Sequence, residues 1–319
     1  MIMRAIRPAG ARVTGLSLGS WTVDVARGID EFVRHIVDPE LPRGRQVVAS
    51  PCVGPPIDPA NPTLSKTAEV VLLTTGNDLG KIAARRLAAA FPGMAVVVEQ
   101  PVPRGELVRS RVRRLGALHV LGQLAFIALA RALHHASQRR IDAILRQHAL
   151  EPRWPDGCER FEVPSVNSPE CVARVAALNP RVILLLGTRI INRRTLAALP
   201  VPLINYHAGI TPKYRGIHGG YWAKTEGDLA NFGVTVHLVD PGIDTGAVLY
   251  QARLDPAPAD NYATFPYLQL AAALPLIEQA GHDALSGKLV PRAVDLPSRL
   301  WSHPTIWGYV AAGLRRGAW

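Results

Sequence analysis

Four short apolar runs constrain the fold of this 319-residue chain more than any other feature. They are Glu69-Val-Val-Leu-Leu-Thr-Thr75, Met94-Ala-Val-Val-Val-Glu99, Arg181-Val-Ile-Leu-Leu-Leu-Gly187 and Val201-Pro-Leu-Ile-Asn-Tyr-His207. Each is short and apolar at successive positions, as a parallel strand covered on both faces must be. The stretches between them read as helices. Gly76 to Gly80 reads as a turn, and Lys81 to Phe91 as a helix stopped by Pro92-Gly93. A long helical region runs from about Leu107 to His148, with a break near Ser137. Glu162 to Asn167 reads as a short strand or loop. Ser168 then caps a helix whose first position is Pro169 and which ends by Asn179-Pro180. Asn192 to Leu199 is a further short helix. Phe232 to Asp240 and Ala247 to Gln251 read as a pair of edge strands. Strands alternating with helices predict an α/β fold, a doubly wound, mostly parallel sheet with helices on both faces.

The ends of the chain have a different character. Residues 1–66 read as an N-terminal extension closed by a Pro-rich linker, PCVGPPIDPANP over 51–62, which excludes a regular helix or a central strand. Within it, Ser20 to Val25 is a candidate strand and Gly28 to Ile36 a candidate helix. Gly15-Leu-Ser17-Leu-Gly19 has the spacing of a nucleophile elbow but lacks the strand before it and the helix after it. Residues 281–319 read as a C-terminal tail, in which Thr305 to Leu314 suits a small amphipathic helix. No secretory signal is visible at the N-terminus. Cys52, Cys158 and Cys171 make neither a disulfide framework nor a zinc motif, so a cytoplasmic setting and no metal are expected.

Net charge is +11, and it is concentrated: residues 103–153 carry ten arginines against three acids. The densest run, Arg109 to Arg114, is a candidate contact for phosphate, RNA or an anionic membrane surface, or else a solvated basic helix. Leu115 to Leu133 is the most apolar segment. It falls short of a clean membrane span and reads as a buried or surface-associated helix. The turn after the first strand carries only Gly76 and Gly80, which is neither a dinucleotide fingerprint nor a P-loop.

The segment from Ile204 to Tyr250 carries the chemistry. Asn205 and His207 lie two apart at a strand end and project from one face. Asp244 sits in a second loop, Val239-Asp-Pro-Gly-Ile-Asp-Thr-Gly246. An amide donor, an imidazole and a carboxylate suit acyl transfer to an amine, as oxyanion donor, proton carrier and orienting charge. On residue types alone, a strand-capping His207 and a turn-capping Asp244 are the stronger reading.

The wording of this segment resembles the folate-dependent formyltransferase family, which includes phosphoribosylglycinamide, methionyl-tRNA and sugar-amine enzymes. The matching residues are Asn205-Tyr-His207, then Thr211-Pro-Lys-Tyr-Arg-Gly216 with His218, then Gly233-Val-Thr-Val-His237 and Asp240-Pro-Gly-Ile-Asp-Thr-Gly246. The resemblance implies a Rossmann-like formyltransferase domain over 67–280, interrupted by a long basic helical insertion at 103–153. It implies 10-formyltetrahydrofolate as formyl donor and Asn205, His207 and Asp244 as catalytic residues. It places the pterin against Gly187, Arg189, Ile190, Ile191, Val239 and Asp240, and the acceptor near Lys213, Tyr214 and His218. An amino sugar or nucleotide-linked amine is the expected acceptor. A phosphoribosylglycinamide enzyme is the alternative, and a formyltetrahydrofolate hydrolase or a non-catalytic folate-binding module lies further off. Asp78 weighs against a phosphate seat after the first strand.

Overall fold

The computed structural model describes residues 67–102 and 104–319. The candidate elbow at Ser17, the candidate strand and helix of residues 20–36 and the linker 51–66 lie outside the described residues. A seven-stranded sheet forms the centre, in the order β3-β2-β1-β4-β5-β7-β8. Its strands are β1 (Val70–Thr75), β2 (Ala95–Glu99), β3 (Arg160–Val163), β4 (Val182–Leu186), β5 (Leu203–His207), β7 (Gly233–Leu238) and β8 (Val248–Arg253). The first five are mutually parallel, whereas β7 runs antiparallel to β5 and β8 antiparallel to β7. β7 is therefore an interior strand rather than an edge one. Its residues are buried from Gly233 to His237, and only Leu238 is partly exposed.

Alternation along each strand divides the core in two. Val70, Leu72, Val96, Leu184 and Ile204 face one side, under α1 (Asp78–Ala90), α4 (Gln138–Gln147) and α8 (Phe265–Leu285). Val71, Leu73, Val97, Ile183 and Leu203 face the other, under α5 (Pro169–Leu178) and α6 (Arg193–Ala198). Helices thus cover both faces, as the fold class requires.

Three local expectations change. Asn77 accepts from the Gly80 N–H and caps α1, so Asp78 to Gly80 are the first helical turn rather than part of a turn. The long helical region is three helices: α2 (Arg104–Leu115), α3 (Ala117–Ala136) and α4. The break at Ser137 is present, and Gly116 at φ 83° supplies another. α3 is also long and apolar enough to cross a membrane by length and composition, with little of it buried.

The C-terminal stretch packs into the body of the molecule. β9 (Leu300–Trp301) pairs in parallel with β6 (Arg215–Gly216). α9 (Ile306–Arg316), capped by Thr305, packs on α3 and on α7 (Gly219–Glu226). Phe126, Tyr221, Phe232, Phe265, Trp301 and Tyr309 form a third, aromatic cluster joining these pieces.

Candidate active site

β5 ends at the carboxyl edge of the parallel strands, where open α/β sheets place ligands. Asn205 pairs directly across the antiparallel junction with His237 on β7. Asn205 Nδ2 lies 3.1 Å from His237 Nε2 and 3.5 Å from Asp244 Oδ1. His237 Nδ1 donates to the Leu238 carbonyl at 2.7 Å, so Nε2 is left as the acceptor for the Asn205 amide. His207 Nδ1 faces Asp244 Oδ2 at 3.3 Å. Its Nε2 lies 2.6 Å from the Tyr214 carbonyl, which can only accept, so that nitrogen carries the proton.

Burial is the largest influence on His207 and lowers its pKa. The Asp244 charge and the Tyr214 carbonyl oppose it without cancelling it. His207 is therefore neutral at rest, with a lone pair on Nδ1 beside a carboxylate ready to stabilise the added proton. Burial also works against the Asp244 charge. Its neighbours His237 and His207 and the bond donated by the Gly216 N–H at 2.8 Å outweigh it and hold the carboxyl at about 2. Asp244 sits at φ 49°, in the left-handed region, which turns its side chain back into the cluster.

The loop between β5 and α7 is held close to His207. A Cβ on Gly209 would lie 2.6 Å from the Tyr214 carbonyl and 2.8 Å from His207 Nε2, so only glycine fits there. The 240–246 loop is organised by Asp240, whose Oδ1 accepts from Thr245 Oγ1 at 2.6 Å and from the Gly242 N–H at 3.0 Å.

A cavity of 860 Å³ opens over this cluster. Asn205, His207 and Asp244 line it, and so do Gly187, Arg189, Ile190, Ile191, Val239 and Asp240. Arg189 lies there as framework. Its guanidinium donates to the Pro164 and Gln100 carbonyls and pairs with buried Glu99 at 3.3 Å, while its N–H donates to Glu99.

The acceptor expectations divide. His218 lines the cavity, but Lys213 and Tyr214 do not. Lys213 Nζ is 2.6 Å from Asp228, and the Tyr214 hydroxyl donates to the same carboxylate at 2.8 Å. Both side chains hold the loop in place, and Tyr214 serves the site through its carbonyl. His218 Nε2 lies 3.0 Å from His303 Nδ1, and Tyr262 Oη lies 2.9 Å from the same His218 nitrogen. Burial takes His218 down to about 3 and His303 to about 4, and the neighbouring His303 and Arg111 respectively push in the same direction.

Sequence reasoning did not assign His237, Gln123 or His303 to the site. His237 stands in the Gly233–His237 segment that carries the resemblance, but its pairing with Asn205 emerges only from the strand register. Gln123 and His303 come from α3 and the C-terminal stretch, and no short-range pattern links them to the site. Gln123 is buried with no partner for Oε1 and lines the cavity. Of the arginine run, Arg111 and Arg114 line the cavity, while Arg109 and Arg113 are exposed.

Residues 131–265 match the family model described as Formyl transferase, a span that contains Asn205, His207, His237 and Asp244. The chain is 29% identical over 140 residues to a methionyl-tRNA formyltransferase of Trichlorobacter lovleyi, covering 44% of each chain. It is 39% identical over 96 residues to the corresponding enzyme of Koribacter versatilis, covering 30% of each. The chain thus spans less than half the length of these curated relatives. A sugar N-formyltransferase structure from Shewanella is similar with a TM-score of 0.46 and 15% identity, over 72% of this chain and 75% of that one. The fold and the cluster define an α/β protein with a strand-end Asn-x-His site. Residues 131–265 of the chain carry the likeness to the formyl transferase family.

Proposed function

We propose that this protein moves a formyl group from 10-formyltetrahydrofolate to the amine of a small acceptor, an amino sugar or a nucleotide-linked amine. The observation that carries the proposal is the Asn205–His207–Asp244 cluster, closed by His237, at the floor of one cavity. The cavity volume falls within the ~300–1,000 Å³ of small-molecule sites. The apolar side chains Ile190, Ile191 and Val239 suit a flat heteroaromatic ring, and the unpartnered Gln123 Oε1 awaits a donor.

The donor supplies the activated formyl carbon. Asn205 spends one amide hydrogen on His237. The other is aimed at Asp244 across 3.5 Å, too long to hold strongly, and is the one free to stabilise charge on a formyl oxygen. His207 takes a proton at Nδ1 as the acceptor nitrogen loses one and gives it to N10 of the donor as the formyl C–N10 bond breaks and tetrahydrofolate leaves, and ionised Asp244 stabilises the imidazolium between the two transfers. Because burial keeps His207 neutral at rest, the base is available at neutral pH. Arg111 and Arg114 on the cavity wall favour an acceptor bearing phosphate, as a nucleotide-linked amine does.

The test is incubation with 10-formyltetrahydrofolate and panels of amino sugars, nucleotide-linked amines and glycinamide ribonucleotide. Tetrahydrofolate release should depend on one amine, with a formylated product of matching mass. Formate release with no amine present would make the protein a hydrolase. No release under any condition would leave a binding module.

A further inference from the structure

α2, α3 and α9 present a surface that the formyl transfer site does not explain. The outward side of α3 is apolar: Leu118 is 72% exposed, Leu121 is 40% exposed, and Ala125, Ala128 and Ala132 continue the same helical stripe. The outward side of α9 is apolar too. Trp307, Val310 and Leu314 recur at helical spacing, with Leu314 76% exposed. The two stripes adjoin, because the Trp307 ring lies over Gly122, one turn along α3 from Leu118.

Charge surrounds this patch with one sign. Residues 107–141 contain seven arginines and no acidic residue, and residues 296–319 contain three arginines and none. Arg109 and Arg113 on α2 and Arg315 and Arg316 at the end of α9 are exposed. α2 is fixed against α3 by Val108 and Val112, which pack on Val120 and Leu124, so its basic side turns away from that contact. An exposed apolar centre with an indole, rimmed by arginines and with Glu106 as the one acidic residue of the three helices, is the composition of an interfacial membrane surface.

We propose that the α2–α3–α9 face seats this protein on an anionic lipid surface, with Leu118, Leu121, Trp307 and Leu314 entering the headgroup region and the arginines contacting lipid phosphates. An apolar protein partner would not need the one-signed rim, and RNA would not need the leucines. The cavity reaches this region, since Arg111, Arg114, Leu115 and Leu300 line it. Docking therefore brings the formyl transfer site to the lipid–water boundary.

Full-length protein should co-sediment with vesicles of phosphatidylcholine mixed with phosphatidylglycerol and not with phosphatidylcholine alone. Added salt should weaken the binding. Leu118→Asn with Leu314→Asn, both at exposed positions, should lower partitioning about tenfold or more with an unchanged melting curve. Arg109→Gln and Arg113→Gln should each lower it roughly fivefold. Formyl transfer to a soluble acceptor should persist in all three variants, so loss of docking is separable from loss of activity. Failure to bind anionic vesicles, equal binding to neutral ones, or a preference for single-stranded RNA that the leucine variants leave unchanged would overturn the proposal.

Discussion

At the scale of single residues, the proposed chemistry rests on a buried histidine held neutral and a half-buried carboxylate held ionised. His207→Ala should remove nearly all formyl transfer, by about 10²–10⁴-fold, while donor binding changes little, since the proton carrier goes and the walls remain. Paired rate and donor-binding measurements check this. Asp244→Asn should keep the fold and lose most of the rate, because an amide cannot stabilise an imidazolium. A variant that fails to fold would instead show that its bond to the Gly216 N–H is the dominant role of Asp244. Asn205, His207 and Asp244 were legible from the sequence as residue types at a strand end and in a turn. Their protonation states were not, because burial decides them and burial is a property of the assembled fold. His237 was visible as a letter within a matched motif, but only the strand register shows that it takes the hydrogen bond of Asn205.

At the scale of elements, the apolar runs identified β1, β2, β4 and β5 because strands buried on both faces carry their environment in their composition. The same reasoning failed for β6 and β9, which are two residues each and exist only because distant segments meet. It also misread Asn77 to Gly80, where a cap and a glycine at a close approach look like a turn. A Cβ on Gly80 would lie 2.1 Å from the Thr75 carbonyl, so the glycine serves packing. Gly209→Ala should push the 208–216 loop away from His207. The expected result is a rate loss of at least tenfold with a lowered melting temperature, checked by kinetics beside calorimetry. Asp260 tests the junction between α4 and α8. Its buried carboxylate holds Arg140 at 2.8 and 3.0 Å and accepts from the Ala257 N–H at 2.9 Å. Removing one partner of such a pair strands the other, so Asp260→Ala should cost about 3 kcal/mol in urea unfolding.

At the scale of the whole molecule, the histidines make stability depend on pH in one direction. His207, His218 and His303 all have folded pKa values below the ordinary 6.5. The unfolded chain therefore binds more protons than the folded one below that pH. Stability is full above about 7 and falls as the pH drops through 6.5, by about 2 kcal/mol for each of His218 and His303 at pH 5. Asp244 adds a later loss as the pH falls from its unfolded value of 3.8 towards 2. Urea midpoints should be flat between pH 7 and 8 and drop steeply towards pH 5, and a His218→Asn variant should show a shallower drop. The acceptor is a question at the same scale, since the cavity over the site is lined from α2, α3 and the C-terminal stretch as well as from the sheet. With Asp78 in the first turn of α1 and paired to Lys81 at 3.2 Å, the turn after β1 is poorly built to receive a ribose phosphate. Glycinamide ribonucleotide should therefore have kcat/KM below roughly 10⁴ M⁻¹s⁻¹, the lower end of the ordinary enzyme range.

The junction of β5 with β7 has a consequence for how the site would come apart. Asn205 and His237 ride on neighbouring strands bonded through their backbones, whereas Asp244 reaches the cluster from a loop. Strand amides open only with large units of structure, while loops open alone. In deuterium-uptake experiments the amides of 204–207 and 234–237 should therefore label far more slowly than those of 240–246. A brief loop opening would uncouple Asp244 from His207 yet leave the Asn205–His237 pair assembled, so the protein can lose its charge partner and regain it without unfolding.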